Sequence, residues 1–129
     1  MMHVQIFVVE DETRLATVLC EYLQQAGFDT HHLAEGTAVA GYVQEHLPAL
    51  VLLDLMLPGR DGLDVCRDIR AFSQVPIIML TARVEEIDRL LGLELGADDY
   101  ICKTYSPREV VARVSAVLRR AKVTASPVN

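Results

Sequence analysis

Five short runs of apolar residues punctuate this chain, and each is followed by a stretch with helical spacing. Ile6-Phe7-Val8-Val9 and Leu50-Val51-Leu52-Leu53 are continuously apolar, the pattern of strands covered on both faces. Strands are predicted at Gln5–Val9, Asp29–Leu33, 50–53, 75–80 and Asp99–Cys102. In the first helix Leu15, Val18, Leu19, Tyr22, Leu23 and Ala26 recur at helical spacing, and Gly27 suits its carboxyl cap. Four more helices are predicted near 37–46, 63–72, 84–95 and 107–120. The last begins at Ser106-Pro107-Arg108-Glu109, with a cap serine, a proline in the first turn and a glutamate to complete a capping box.

Strictly alternating strands and helices imply parallel pairing through right-handed crossovers, with helices on both faces of the sheet. The predicted fold is α/β, a doubly wound sheet of five parallel strands. Its strand exits gather on one rim, where open α/β sheets place their ligand sites. That rim receives Glu10 and Asp11 after the first strand and Asp54 after the third. Thr81 follows the fourth strand and Lys103 the fifth. Three carboxylates brought together repel one another, so the site needs a cation.

Composition narrows the classes. The chain has 129 residues, enough for one domain with a single core, and 51% are hydrophobic, against disorder. No apolar stretch approaches the ~20 residues of a membrane span, and the amino terminus lacks a signal pattern. A cytoplasmic protein without membrane contact is expected. Cys20, Cys66 and Cys102 are odd in number and form no CxxC pair, so buried free thiols are expected. A formal charge of −6 argues against this segment gripping nucleic acid itself. The residues after Arg120 read as a tail or a cut linker, giving a domain over 1–120 and a tail over 121–129, the front half of something longer.

The rim residues permit phosphoryl transfer to a carboxylate. Asp54 can act as nucleophile toward phosphorus, with Glu10 and Asp11 helping it hold a hard divalent ion, magnesium by preference. Lys103 supplies fixed positive charge, and Thr81 a hydroxyl donor for a phosphoryl oxygen. Taken singly, each has an ordinary structural role as a cap, a turn residue or a solvated charge. The ordered set on successive strand exits is far more specific than any member. Rival chemistries lack their parts: no G-x-x-x-x-G-K-[ST] and no G-x-G-x-x-G is present. Glu10-Asp11-Glu12 would repel a flavin phosphate. An aspartate-nucleophile phosphatase would want a second aspartate where Met56 stands. His31 and His32 project to opposite sides of a strand and are not expected to be ligands together.

The segments Val8-Val9-Glu10-Asp11-Glu12, Leu53-Asp54-Leu55-Met56-Leu57-Pro58-Gly59-Arg60-Asp61-Gly62, Leu80-Thr81-Ala82 and Gly96-Ala97-Asp98-Asp99-Tyr100-Ile101-Cys102-Lys103 together resemble the receiver domain of two-component response regulators. The resemblance covers nearly the whole chain. It implies the flavodoxin-like (βα)5 fold with strand order 2-1-3-4-5. It also implies that a sensor histidine kinase phosphorylates Asp54, with Mg2+ on Glu10, Asp11, Asp54 and the backbone carbonyl of Met56. Thr81 and Tyr100 would form the switch pair. Such a domain is no turnover enzyme; it catalyses only its own phosphorylation and slow dephosphorylation.

Asp98-Asp99-Tyr100, then Ser106 to Arg113 and Leu118-Arg119-Arg120, are similar to the OmpR/PhoB-type regulators, which carry a winged-helix DNA-binding domain after the receiver. Residues 85–94 and the stretch around Cys102 carry a finer likeness within that group. The likeness implies transcription control through a further domain. It also implies a symmetric dimer through the face of 84–95, the fifth strand and the last helix. Val84, Ile87, Leu91 and Leu95 would face the sheet, leaving Arg89, Leu90 and Leu93 outward. In the last helix Val110, Val114, Val117 and Leu118 make the core stripe, with Ala112 and Ala116 on another face flanked by Glu109, Arg113 and Arg120. The implied cross-subunit pairs are Arg89–Glu109, Asp98–Arg113 and Asp99–Arg120. Glu109 is claimed both by the capping box and by the dimer. A stand-alone receiver or phosphorelay protein acting by protein contact shares every rim residue, and an aspartate-nucleophile hydrolase is the enzymatic alternative.

One departure stands out. Where the family has proline after the rim lysine, joined by a cis peptide, this chain has Thr104. A cis bond before a non-proline residue costs ~2.5–4 kcal/mol, so the expectation is either a trans bond with a shifted loop or a cis bond held by its surroundings.

Overall fold

The computed structural model describes residues 4–82 and 93–125, with side chains as far as Ala121. Five parallel strands, β1 (Gln5–Val9), β2 (Asp29–Leu33), β3 (Leu50–Asp54), β4 (Ile77–Thr81) and β5 (Asp99–Cys102), form one sheet in the order β2-β1-β3-β4-β5. The expected 2-1-3-4-5 topology is thus observed. The described helices are α1 (Thr13–Gln25), α2 (Val39–His46), α3 (Gly62–Arg70) and α4 (Pro107–Ala125). The helix predicted over 84–95, with Arg89 and Leu90, lies mostly outside the described residues.

Side chains alternate across a strand, and here the alternation builds two cores. Ile6, Val8, Leu50, Leu52, Ile78, Leu80 and Ile101 pack on one face with α1 and α4; Phe7, Val9, Val51, Leu53, Ile77 and Met79 pack on the other with α2 and α3. The central strands β3 and β4 are buried throughout, as their unbroken apolar runs predict.

Several boundaries differ from the sequence reading. β4 begins at Ile77, because Pro76 has no N–H for the ladder, although its carbonyl accepts from Val51 at 2.9 Å. Thr81 is the last residue of that strand rather than the first after it. In α1 the buried face is Ala16, Leu19 and Leu23, while Val18 and Ala26 are exposed. The helix ends in a Schellman motif: the Gly27 N–H donates to the Gln24 carbonyl and the Phe28 N–H to the Leu23 carbonyl, both at 3.0 Å, with Gly27 at φ +97°. In α4 Val110, Val114 and Val117 are buried and Leu118 packs beside them. That helix runs on to Ala125, so residues 121–125, read as a tail, are helical. Of the cysteines only Cys66 is buried; Cys20 and Cys102 are half-buried, and all three are free thiols. Among the described residues no helix is long and apolar enough to cross a membrane.

The β3 exit is held by a close approach. Asp61 caps α3 by accepting from the Leu63 N–H at 3.0 Å, and the Gly62 N–H donates to the Leu55 carbonyl at 2.9 Å. A Cβ on Gly62 would lie 2.4 Å from the Asp54 carbonyl oxygen and 2.5 Å from the Leu55 Cα. Both obstacles are backbone, so neither can rotate away. Gly62→Ala is expected to cost roughly 1–3 kcal/mol by overpacking, read as a lowered melting midpoint; an unchanged midpoint would show that the loop has slack.

Candidate functional site

Parallel register brings the predicted rim residues together. Glu10 follows β1, Asp54 ends β3, Thr81 ends β4 and Lys103 follows β5. Glu10, Asp54 and Thr81 are buried, whereas Asp11 is exposed at the mouth. Carboxylate oxygens of Glu10, Asp11 and Asp54 all lie within 4.8 Å of one another. The Lys103 ammonium stands 3.2 Å from Asp54 Oδ2 and 3.6 Å from Glu10 Oε1. The Lys103 N–H also donates to the Thr81 carbonyl at 2.8 Å. The Lys103–Thr104 peptide is cis, the second of the two geometries expected for this departure.

Backbone donors fix the carboxylates. Asp54 Oδ1 accepts from the Met56 N–H at 2.9 Å, and Glu10 Oε2 accepts from the Glu12 N–H at 3.0 Å. His32 Nε2 donates to the Glu10 carbonyl at 2.6 Å, since a carbonyl can only accept. Its neighbour His31 turns to the other face, stacked on His46 and tilted against Phe7 and Tyr42. The two histidines do project apart. The support that His32 gives to Glu10 was not legible in the sequence, because it depends on β2 lying beside β1.

The electrostatics are those of a site built to take positive charge. Burial first, and then the neighbouring Asp54 carboxylate, raise the Glu10 carboxyl to about 7. Burial disfavours the Lys103 ammonium, but Asp54 and Glu10 outweigh it and hold its pKa above the ordinary lysine range. Glu10 Oε1 is buried without a hydrogen-bond partner, since Lys103 stands just beyond bonding distance. An acceptor-only oxygen left bare among three carboxylates fits a hard divalent cation, whose ligands are oxygens. The acidic cluster is therefore able to hold a metal ion.

The remaining predicted residues lie around this centre. Tyr100 is half-buried against the second core, and Met56 has an exposed side chain. Leu93, Asp98, Ala112 and Arg120 are exposed, while Asp99, Glu109, Arg113 and Ala116 are half-buried. Within one chain the ionic partners differ from the cross-subunit pairs expected. Arg113 holds Asp99 at 3.1 Å and Glu109 at 3.2 Å, and Asp98 takes Arg70 at 3.3 Å and the Ile77 N–H at 2.8 Å. At the start of α4 Ser106 Oγ accepts from the Glu109 N–H at 3.0 Å. The Glu109 carboxylate turns instead to Arg113, one helical turn on. Tyr105, two residues past Lys103 in the same loop, is half-buried against the first core, a placement that no local pattern in the sequence signals.

Comparison with known proteins agrees with this geometry. The family described as the response regulator receiver domain matches residues 6–115. The transcriptional regulatory protein BaeR of Escherichia coli is 59% identical over 118 residues, 92% of this chain and 49% of that protein. The DNA-binding response regulator MtrA of Mycobacterium tuberculosis is 55% identical over 119 residues, 92% of this chain and 52% of the other. The chain thus spans about half the length of these relatives. Among solved structures, the BeF3-activated receiver domain of RstA from Klebsiella pneumoniae superposes with a TM-score of 0.84 at 39% identity, covering 89% of this chain and 98% of that one. DrrB of Thermotoga maritima, an OmpR/PhoB homologue, gives 0.84 at 33% identity, covering 93% of this chain and 54% of that one. With five parallel strands delivering the acids and the lysine to one rim, and a match along most of its length, the chain belongs to the response regulator receiver domains and is similar to those of the OmpR/PhoB type.

Proposed function

We propose that this domain accepts a phosphoryl group on Asp54 from a sensor histidine kinase in the cytoplasm, with Mg2+ held by Glu10, Asp11, Asp54 and the Met56 carbonyl. The observation that carries the reading is the trio of carboxylates within 4.8 Å, faced by the Lys103 ammonium 3.2 Å from Asp54. An Asp54 oxygen forms the new bond to phosphorus as the phosphorus–nitrogen bond of the donor breaks, and the donor imidazole leaves with the electron pair. Lys103 stands ready to neutralise charge on the phosphoryl oxygens. When bound, the divalent ion would neutralise the acids and those oxygens. The Thr81 hydroxyl would then donate to the attached group, and Tyr100 would follow inward as the second half of the switch.

Such a domain signals by its state rather than by turnover; its own phosphorylation and slow dephosphorylation are the chemistry it performs. The phosphorylated form would favour a symmetric dimer through the face that includes Leu93, Ala112, Ala116 and Arg120, together with Arg89 and Leu90 outside the described residues. Since Asp98, Asp99, Glu109 and Arg113 have partners at home, forming cross-subunit pairs would require exchange of partners. Exposed ion pairs are worth only ~0–1 kcal/mol each, so the exchange sets register more than strength. In the longer protein a winged-helix domain following the receiver would bind DNA and control transcription.

Incubation with acetyl phosphate and Mg2+ should label the domain on one residue, and chelating the metal should abolish labelling. Sedimentation with beryllofluoride and Mg2+ should shift the protein from monomer toward dimer. Labelling indifferent to chelation would remove the metal from the reading, and a monomer unmoved by beryllofluoride would remove the dimer.

A further inference from the structure

Among the described residues, two buried side-chain atoms have no hydrogen-bond partner: Glu10 Oε1 and the Tyr105 hydroxyl. They are complementary. A carboxylate oxygen only accepts, whereas a phenol hydroxyl can donate. The Tyr105 ring packs against the core shared by α1 and α4, in the loop that carries Lys103 to within 3.6 Å of the same Glu10 oxygen. The phenol is pushed well above its ordinary range by burial, then by Glu10, Asp54 and Glu12. It therefore remains a protonated donor in the field of the acids.

Resting on the phospho-acceptor reading above, we propose that Tyr105 is a positioning residue of the metal site, its hydroxyl donating to the Glu10 carboxylate across one bridging water, because neither atom has a direct partner. The Glu12 N–H already fixes Glu10 Oε2 at 3.0 Å. A donor on Oε1 fixes the second oxygen, so the carboxylate plane no longer rotates and its remaining lone pairs face Asp11 and Asp54. Phenylalanine keeps the ring and its packing but removes the donor.

The test is Mg2+ titration of the wild-type chain and of Tyr105→Phe by calorimetry, alongside 19F spectra of both proteins labelled with 3-fluorotyrosine. The expected result is a Mg2+ affinity lowered ~10- to 100-fold in Tyr105→Phe, the range for losing a group that orients a metal ligand. The melting midpoint without metal should fall by no more than the loss of one hydrogen bond, because the ring and its packing remain. The fluorine resonance missing from Tyr105→Phe should shift in the wild type when Mg2+ is added, which a purely packing role would not produce. Equal affinities in the two proteins, or a Tyr105 resonance indifferent to Mg2+, overturn the proposal while leaving the phospho-acceptor reading intact. A wild-type chain that binds no Mg2+ overturns both.

Discussion

Asp54→Asn is expected to abolish labelling by acetyl phosphate, with a loss of at least ~10³-fold, because an amide oxygen has neither the charge nor the lone-pair basicity to attack phosphorus. The substitution is close to isosteric. The amide oxygen can still accept from the Met56 N–H that now bonds Asp54 Oδ1 at 2.9 Å, so the β3 exit should keep its shape. Lys103 retains Glu10 as a counter-ion, and one of three crowded carboxylates is gone. The variant should therefore fold at least as stably as the parent, which separates a chemical loss from a structural one. Labelling is read by the mobility of the phosphorylated chain on a phosphate-affinity gel, with the melting curve as control. Undiminished labelling in the folded variant would take Asp54 out of its role.

Glu10→Gln should stabilise the metal-free domain at pH 8 and leave it nearly unchanged at pH 5. The sign follows from linkage. Glu10 has a folded-state pKa raised to about 7 from 4.5, so between those values the folded state binds more protons than the unfolded one. Stability then falls as pH rises through that window, on the order of 2 kcal/mol in total once the part owed to the neighbouring Asp54 is discounted. Glutamine carries no charge to desolvate and removes the fall. For a domain of this size that corresponds to roughly 5–10 °C in melting midpoint. The same substitution should weaken Mg2+ binding, because the amide is a poorer ligand for a hard cation. A melting difference independent of pH would show that Glu10 is not held in its raised state by burial and Asp54.

Both outcomes have one origin. The fold spends local stability to keep three carboxylates close, two of them buried and one oxygen without a direct protein partner, and a bound cation would offset their repulsion. Glu10 Oε1 lacks a direct protein partner for the same reason: a carboxylate oxygen fully satisfied at home would have nothing left for a metal ion. Such an unpaired polar atom is uncommon in a buried position, and here it marks the working end of the sheet.

The alternation of apolar runs and helical stretches was enough to determine the five parallel strands, the two-sided core and the rim on which Glu10, Asp11, Asp54, Thr81 and Lys103 meet. Strands buried on both faces must be apolar throughout, and a parallel sheet sends all its carboxyl ends one way. Only the tertiary structure decided what depends on neighbours distant in sequence. His32 reaches the Glu10 carbonyl because β2 pairs with β1, and Asp98 belongs to Arg70 because the end of α3 meets the segment leading into β5. Arg113 holds Asp99 and Glu109, and the Tyr105 hydroxyl is buried in the field of the acids rather than left to solvent. Periodicity records which face of an element is covered; the identity of the group on the other side is set by packing, and no local pattern encodes it.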